Sequence, residues 1–257
     1  MLADMTLASL RTRLAEPGTL ALGWLTSPDP LVAETVARSG FDAVAIDMQH
    51  GAIDHGDALR LLQVLTLAGV PAIVRVAWNE PHLVMKALDL GAWGVIAPML
   101  ERPQEVRDLV EACRYPPRGR RSYGPTRGAA LAGARYAAVA DDEVVPIAMV
   151  ETRAAFERID ELLAVPGLGA VFVGPADLSQ ALGGPPGADI EDGPVVDALR
   201  HVAERSAAAG VPAGVYARSP GYARRMAGLG YRFVALGSAL DLVASGADAA
   251  LRVFRAR

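Results

Sequence analysis

The segment GAVFVGPADLS, residues 169–179, changes character midway. Ala170 to Val173 is an unbroken apolar run, and polar residues follow at once, with Gly174-Pro175 and then Asp177. A half-exposed strand would alternate apolar and polar residues. A short continuous run rich in valine fits instead a strand covered on both faces, as in a parallel sheet. Gly167 stands just upstream, where the left-handed C-cap of a preceding helix is expected.

The same unit recurs along the chain. Apolar segments lie at 19–25, 42–48, 71–76, 93–99, 145–151, 169–175, 211–217 and 231–237. Stretches of helical period separate them, at 31–39, 56–67, 80–89, 103–113, 153–163, 194–208, 220–228 and 239–254. Pro30 and Pro103 suit first helical turns, and Ser219-Pro220 reads as a cap followed by a first position. Gly40, Gly69, Gly91, Gly210 and Gly230 repeat the C-cap signal before a strand. Eight strand–helix units in 257 residues predict a TIM (β/α)8 barrel of the α/β class, one domain over 1–257. The competing arrangement is a doubly wound open sheet. It usually has fewer strands, and no GxGxxG opens a first strand–helix turn here.

The composition narrows the function. With 52% hydrophobic residues the chain can fill a large core. A net charge of −4 without a basic block argues against a nucleic-acid surface. No apolar run is long enough to span a bilayer. The N-terminal stretch lacks a basic region followed by an apolar one, so no signal peptide is expected. A single cysteine, Cys113, excludes an intrachain disulfide framework, and a cytoplasmic setting is the expectation.

In such a barrel the chemistry sits at the C-terminal ends of the strands. Those positions hold Asp47, Gln49 and His50 after the second segment, Arg75 after the third, Glu151 after the fifth, and Gly174, Pro175, Ala176 and Asp177 after the sixth. Taken singly, each has an ordinary reading. His50 could cap a loop, Arg75 could form a rim ion pair, Glu151 could be a helix-start acid and Asp177 could be an N-cap. Four such coincidences at one mouth are much less expected than a site. Glu151 and Asp177, on neighbouring strands about 4.8 Å apart, suit a hard divalent cation such as Mg²⁺ or Mn²⁺ with open positions for a substrate. His55, His82 and His201 read as structural or exposed, so the pattern is not a zinc site.

These residues lie within DMQHG, VRVAWNEP, CRYPPRGRRSYGPTR, VETRAA and VFVGPADLS, which together resemble the HpcH/HpaI aldolase family from about residue 20 to 240. The resemblance implies a metal-dependent class II aldolase acting on 4-hydroxy-2-oxo acids and 2-keto-3-deoxy sugar acids. It would release pyruvate, or a close 2-oxo acid such as hydroxypyruvate, and an aldehyde. It implies Glu151 and Asp177 as metal ligands for Mg²⁺, Mn²⁺ or Co²⁺, Arg75 on the keto oxygen and His50 as acid/base. It pairs Asp89 with that histidine, although from the sequence alone Asp89 reads as a solvated helix residue. It assigns the carboxylate-holding loop to Gly174, Pro175 and Ala176, and implies a hexamer, a trimer of dimers with the last helix exchanged.

Asp47 and Gln49 are expected in supporting roles, Asp47 orienting the loop or a neighbouring arginine. Gln49 departs from the glutamate of better-known members, and His50-Gly51 replaces their HAP. The 128–145 segment looks shortened, which leaves the aldehyde side open.

Lysine usage bears on mechanism independently. Of 25 basic residues only Lys86 is a lysine, and it falls inside a helical segment. A Schiff-base mechanism has no lysine at a strand end to use. Neither PLP nor a nucleotide is expected. The alternatives are a CoA-thioester lyase of the citrate-lyase-β type and a non-catalytic barrel that binds a 2-oxo acid.

Overall fold

The structure is a computed structural model that describes residues 9–132 and 136–256. Eight parallel strands close into a barrel in chain order: β1 (Leu20–Leu25), β2 (Ala43–Asp47), β3 (Ala72–Arg75), β4 (Gly94–Ala97), β5 (Val145–Val150), β6 (Ala170–Val173), β7 (Ala213–Ala217) and β8 (Phe233–Leu236). β1 pairs with β8 to complete the ring. Each strand falls within one of the eight apolar segments, so the TIM barrel read from the sequence is the fold. The strands are continuous in apolar character because both of their faces are buried.

Helices cover the outside: α1 (Leu10–Ala15), α2 (Pro30–Arg38), α3 (His55–Leu67), α4 (Pro81–Asp89), α5 (Pro103–Ala112), α6 (Gly128–Ala132), α7 (Tyr136–Glu143), α8 (Arg153–Glu157), α9 (Ile159–Leu163), α10 (Pro175–Ala181), α11 (Pro194–Ala209), α12 (Pro220–Gly228) and α13 (Ala239–Arg255). The glycines read as C-caps do adopt positive φ, from +68° at Gly210 to +105° at Gly91. Three features differ from the sequence reading. The 153–163 stretch breaks into α8 and α9 at Arg158, and α6 and α7 fall in the 128–145 segment, where no helix was expected. Residues 133–135 of that segment lie outside the described residues. α1, too short to show a clear period, places Leu10 and Leu14 against the barrel interior.

The core has two parts. One lies between strands and helices, and the other fills the barrel with Leu22, Trp24, Ala45, Ile73, Ile96, Ile147, Met149, Phe172 and Phe233 among others. Each large side chain buried there contributes about 1.5–3 kcal/mol. The interior residues of β2 are Ala43 and Ala45, those of β5 are Val145, Ile147 and Met149, and those of β6 are Ala170 and Phe172. Side chains alternate with period two along a strand. The next residues in the inward series are therefore Asp47, Glu151 and Gly174, with Arg75 following Ile73 on β3. The apolar filling of the barrel ends where these polar residues begin.

Candidate active site

A cavity of about 260 Å³ opens at the C-terminal mouth. Trp24, Asp47, His50, Arg75, Gly174, Pro175, Ala176 and Asp177 line it, with Thr26, Met149, Phe172, Ala188, Tyr216 and Ser238. Most residues read from the sequence as functional thus meet in one place.

Asp47 and Arg75 are its buried centre. The two residues stand in register on β2 and β3. Arg75 donates from Nε to Asp47 Oδ1 at 2.9 Å and from Nη2 to Oδ2 at 2.6 Å. Asp47 is 1% exposed and Arg75 7%. Burial by itself would push the Asp47 carboxyl up, but the Arg75 guanidinium, the His50 N–H and the Trp24 indole outweigh it and hold it below the usual carboxylate range. The Trp24 indole N–H donates to Oδ2 at 3.2 Å, and the Arg75 guanidinium lies 5.1 Å from the Trp24 ring centroid. Trp24 is braced in turn by Phe172, stacked at 5.4 Å, and Tyr216, edge-on at 5.4 Å.

The same aspartate shapes the turn that carries the histidine. Asp47 Oδ1 accepts from the Gln49 N–H at 3.0 Å and the His50 N–H at 3.2 Å. β2 ends at Asp47, so His50 is carried by a turn after the strand, with its exposed side chain lining the cavity. Gly51 closes this turn. A Cβ built there would run into the Asp47 carbonyl oxygen and lie 3.1 Å from Thr26 Cα. The departure from HAP is therefore matched by a turn too tight for a side chain. Gln49 Oε1 is buried without a hydrogen-bond partner among the described residues.

Glu151 follows β5 and is 2% exposed. Its Oε1 accepts from the Met99 N–H at 2.8 Å. Met99 is the one non-glycine residue with positive φ, +58°, among the described residues. A side chain in that region costs about 1–3 kcal/mol, and here the conformation accompanies an N–H donated to a buried carboxylate. Burial and the negative charge of Asp177 push the Glu151 carboxyl up to about 7 against the Met99 N–H and Arg75. Gly174 is glycine because Glu151 comes close: a Cβ there would sit 2.6 Å from Glu151 Oε2 and 2.8 Å from Met149 Cε.

Asp177 is not an N-cap. Gly174 caps α10, Pro175 opens it and Asp177 lies in its first turn. Within the 174–177 loop, Pro175 has no N–H and the Gly174 N–H donates to Val150 O at 3.3 Å. The amides left without an acceptor among the described residues are those of Ala176 and Asp177. Glu151 is not an acid of the helix start either, because Thr152 caps α8.

Asp89 is not brought to this mouth. It is the last residue of α4, which runs back from the end of β3 to the start of β4, at the other end of the barrel from His50. There its Oδ1 accepts from Nη2 of buried Arg121 at 2.8 Å, so it is ion-paired rather than simply solvated.

Trp24, Met149, Phe172 and Tyr216 were missed from the sequence because aromatic and apolar residues within strands read as filling. The available signal was position: each belongs to the inward-facing layer directly beneath the polar residues of the mouth. The Tyr216 phenol is pushed up to about 12 by burial and by Asp241, so it remains a neutral hydroxyl.

The HpcH/HpaI aldolase/citrate lyase family model matches residues 21–246. A hydroxypyruvate/pyruvate aldolase of Rhizorhabdus wittichii is 44% identical over 225 residues, covering 88% of this chain and 90% of the relative. A 2-dehydro-3,6-dideoxy-6-sulfogluconate aldolase of Pseudomonas putida is 35% identical over 91% of this chain and 92% of the relative. Among solved structures, an HpcH/HpaI aldolase/citrate lyase family protein from Burkholderia cenocepacia superposes with a TM-score of 0.90 at 31% identity, covering 96% of this chain and 99% of that one. Sequence, barrel and mouth agree across nearly the whole chain, and it belongs to the HpcH/HpaI aldolase/citrate lyase family.

Proposed function

We propose that the protein is a class II aldolase that reversibly cleaves a 4-hydroxy-2-oxo acid of the 2-keto-3-deoxy type to pyruvate and an aldehyde. Hydroxypyruvate is the alternative donor, supported by the name of the 44% identical relative. The observation that carries this reading is that Arg75, Asp47, Asp177 and His50 line one cavity, with buried Glu151 close enough to Asp177 and Arg75 to feel their charges.

The residues fit a divalent cation such as Mg²⁺, Mn²⁺ or Co²⁺. Burial and its carboxylate neighbour hold Glu151 partly protonated, an arrangement that a cation would relieve. Among the described residues no three His, Cys, Asp or Glu side chains cluster as a closed cage. Glu151 and Asp177 alone would leave positions for water and a bidentate 2-oxo acid, the mode Mg²⁺ favours. When bound, the cation supplies Lewis-acid polarisation of the 2-oxo group.

The chain's own groups do the rest. Arg75, held rigid by Asp47 and Trp24, presents fixed positive charge where the oxo oxygen becomes negative on C–C cleavage. The free N–H groups of Ala176 and Asp177 are suited to the substrate carboxylate. His50 takes the C4 hydroxyl proton in cleavage and returns it in the aldol direction.

The pairing of Asp89 with His50 requires a second copy of the chain, since one chain keeps them at opposite ends. That pairing therefore goes together with the hexamer that the family resemblance implies. α13 buries only Ala239 and leaves Leu240, Leu242, Val243, Leu251, Val253 and Phe254 exposed. No helix is long and apolar enough to cross a membrane among the described residues. A cytoplasmic setting remains part of the proposal.

The test needs no knowledge of the aldehyde. Pyruvate in D₂O should lose its methyl proton signal by NMR with Mg²⁺ present and keep it with EDTA. Glu151→Ala and Arg75→Ala should abolish the exchange. Absence of exchange with every divalent metal would overturn the pyruvate reading.

A further inference from the structure

A second cavity, of about 530 Å³, lies at the opposite end of the barrel, between α1, the C-terminal half of α11 and the starts of β5 and β7. Its size is within the range of small-molecule pockets, roughly 300–1,000 Å³. No residue of the mouth lines it.

Its polar residues are mismatched in one direction. The guanidinium-bearing residues Arg11 and Arg232 line it; their Nε–H groups, and the hydroxyl of Ser206, a residue 1% exposed, are shielded from solvent and have no acceptor in the described residues. Among the described residues both guanidiniums are anchored through Nη2 alone, Arg11 to the Val144 carbonyl at 3.1 Å and Arg232 to the carbonyls of Leu14 and Glu16. Neither forms an ion pair with a carboxylate among the described residues. The nearby carbonyls of Ser206 and Ala207 are already taken by the Val211 and Gly210 N–H groups. Among the described residues no Asp or Glu lines the cavity. Buried donors are normally satisfied, and an arginine fork suits planar or tetrahedral oxyanions. The remaining wall, with Leu14 and Val145, is apolar.

We propose that this cavity binds a small organic anion. A compact oxyanion head, carboxylate or phosphate monoester, sits at the guanidiniums of Arg11 and Arg232, and an apolar body lies along Leu14 and Val145. The site is separate from the aldolase mouth.

The test is calorimetric titration of the full chain at low ionic strength with hexanoate, hexyl phosphate and hexanamide. Saturable binding of one anion per chain is expected, with the neutral amide at least about tenfold weaker. The stronger of the two anions identifies the head. Arg11→Gln and Ala207→Phe should each weaken anion binding about tenfold or more. Arg75→Ala should leave it intact, which separates this cavity from the mouth. Arg232 is left in place because it also anchors two carbonyls. Turnover of the proposed aldolase should be unchanged in Arg11→Gln and Ala207→Phe. Equal binding of amide and anion, binding lost in Arg75→Ala but kept in Arg11→Gln, or no saturable binding of either anion at millimolar concentration would each overturn the proposal.

Discussion

Asp47 and Arg75 face each other across β2 and β3 as a two-pronged ion pair, 2.9 and 2.6 Å, with both side chains buried. The aspartate also accepts the amides of the turn that carries His50. One carboxylate thus sets the positions of both the Arg75 guanidinium and the turn that carries His50. Asp47→Asn should lower the rate of metal-dependent pyruvate exchange by roughly 10²-fold, the cost of a small misplacement at a reacting centre. Leaving Arg75 buried without its partner should also cost about 3–5 kcal/mol. Kinetics and urea denaturation of the same variant measure the two effects. An exchange rate within a few-fold of wild type would remove Asp47 from the machinery.

Glu151 makes the stability of the metal-free protein pH-dependent in a defined sense. Its carboxyl is raised to about 7 in the fold from an ordinary value of 4.5. Between those values the folded state holds a proton that the unfolded chain has released. The contribution of Glu151 is fully present below about pH 4.5 and declines as pH rises towards and through 7. Glu151→Gln should therefore stabilise the metal-free protein at pH 8 relative to wild type, and do so much less at pH 5. Thermal melts in EDTA at the two pH values check this.

The same carboxyl ties metal binding to proton release. Mg²⁺ or Mn²⁺ should bind more weakly below pH 7, with close to one proton released per ion at pH 6. Calorimetry in buffers of different ionisation enthalpy counts the proton. No release at pH 6 would contradict a ligand role for Glu151.

Gly174 and Gly51 test close approach. Gly174→Ala would place a methyl group 2.6 Å from Glu151 Oε2, and metal affinity should fall more than global stability does. Gly51→Ala would push the turn off the Asp47 carbonyl and displace His50. Aldol turnover should drop by at least about tenfold, with a loss of stability of about 1–3 kcal/mol. Wild-type turnover in Gly51→Ala would show that the turn geometry is not needed.

The exposed face of α13 predicts assembly. Phe254, 85% exposed, and Val253, 79%, lie near the end of a helix that buries only its first residue. Phe254→Glu should reduce the molar mass seen by light scattering. If Asp89 acts on His50 of another copy, the same variant should lose turnover in proportion to dissociation. Asp89→Asn should lose turnover while keeping the assembly. A monomeric, fully active wild-type protein would overturn both expectations.

By itself the sequence determined the barrel and the identity of the residues at its mouth. Unbroken valine-rich runs, C-cap glycines and helical periods are local signals, each dictated by backbone sterics or by burial on both faces. The residues that end those runs, Asp47, Arg75, Glu151 and the 174–177 loop, were legible because a parallel barrel sends every strand end to one mouth. What tertiary structure decided were distances between segments far apart in the chain. That Asp47 holds Arg75 rather than standing alone, and that Trp24 braces the pair, depends on the register of β1, β2 and β3. That Met99 donates its N–H to Glu151 depends on how β4 ends beside β5. Asp89 is the clearest case. Its neighbours in sequence show only a helix end, whereas the fold puts it against Arg121 and a barrel's length from His50. Side-chain identity and local period are written residue by residue; which polar groups meet is fixed only when the ring of strands closes.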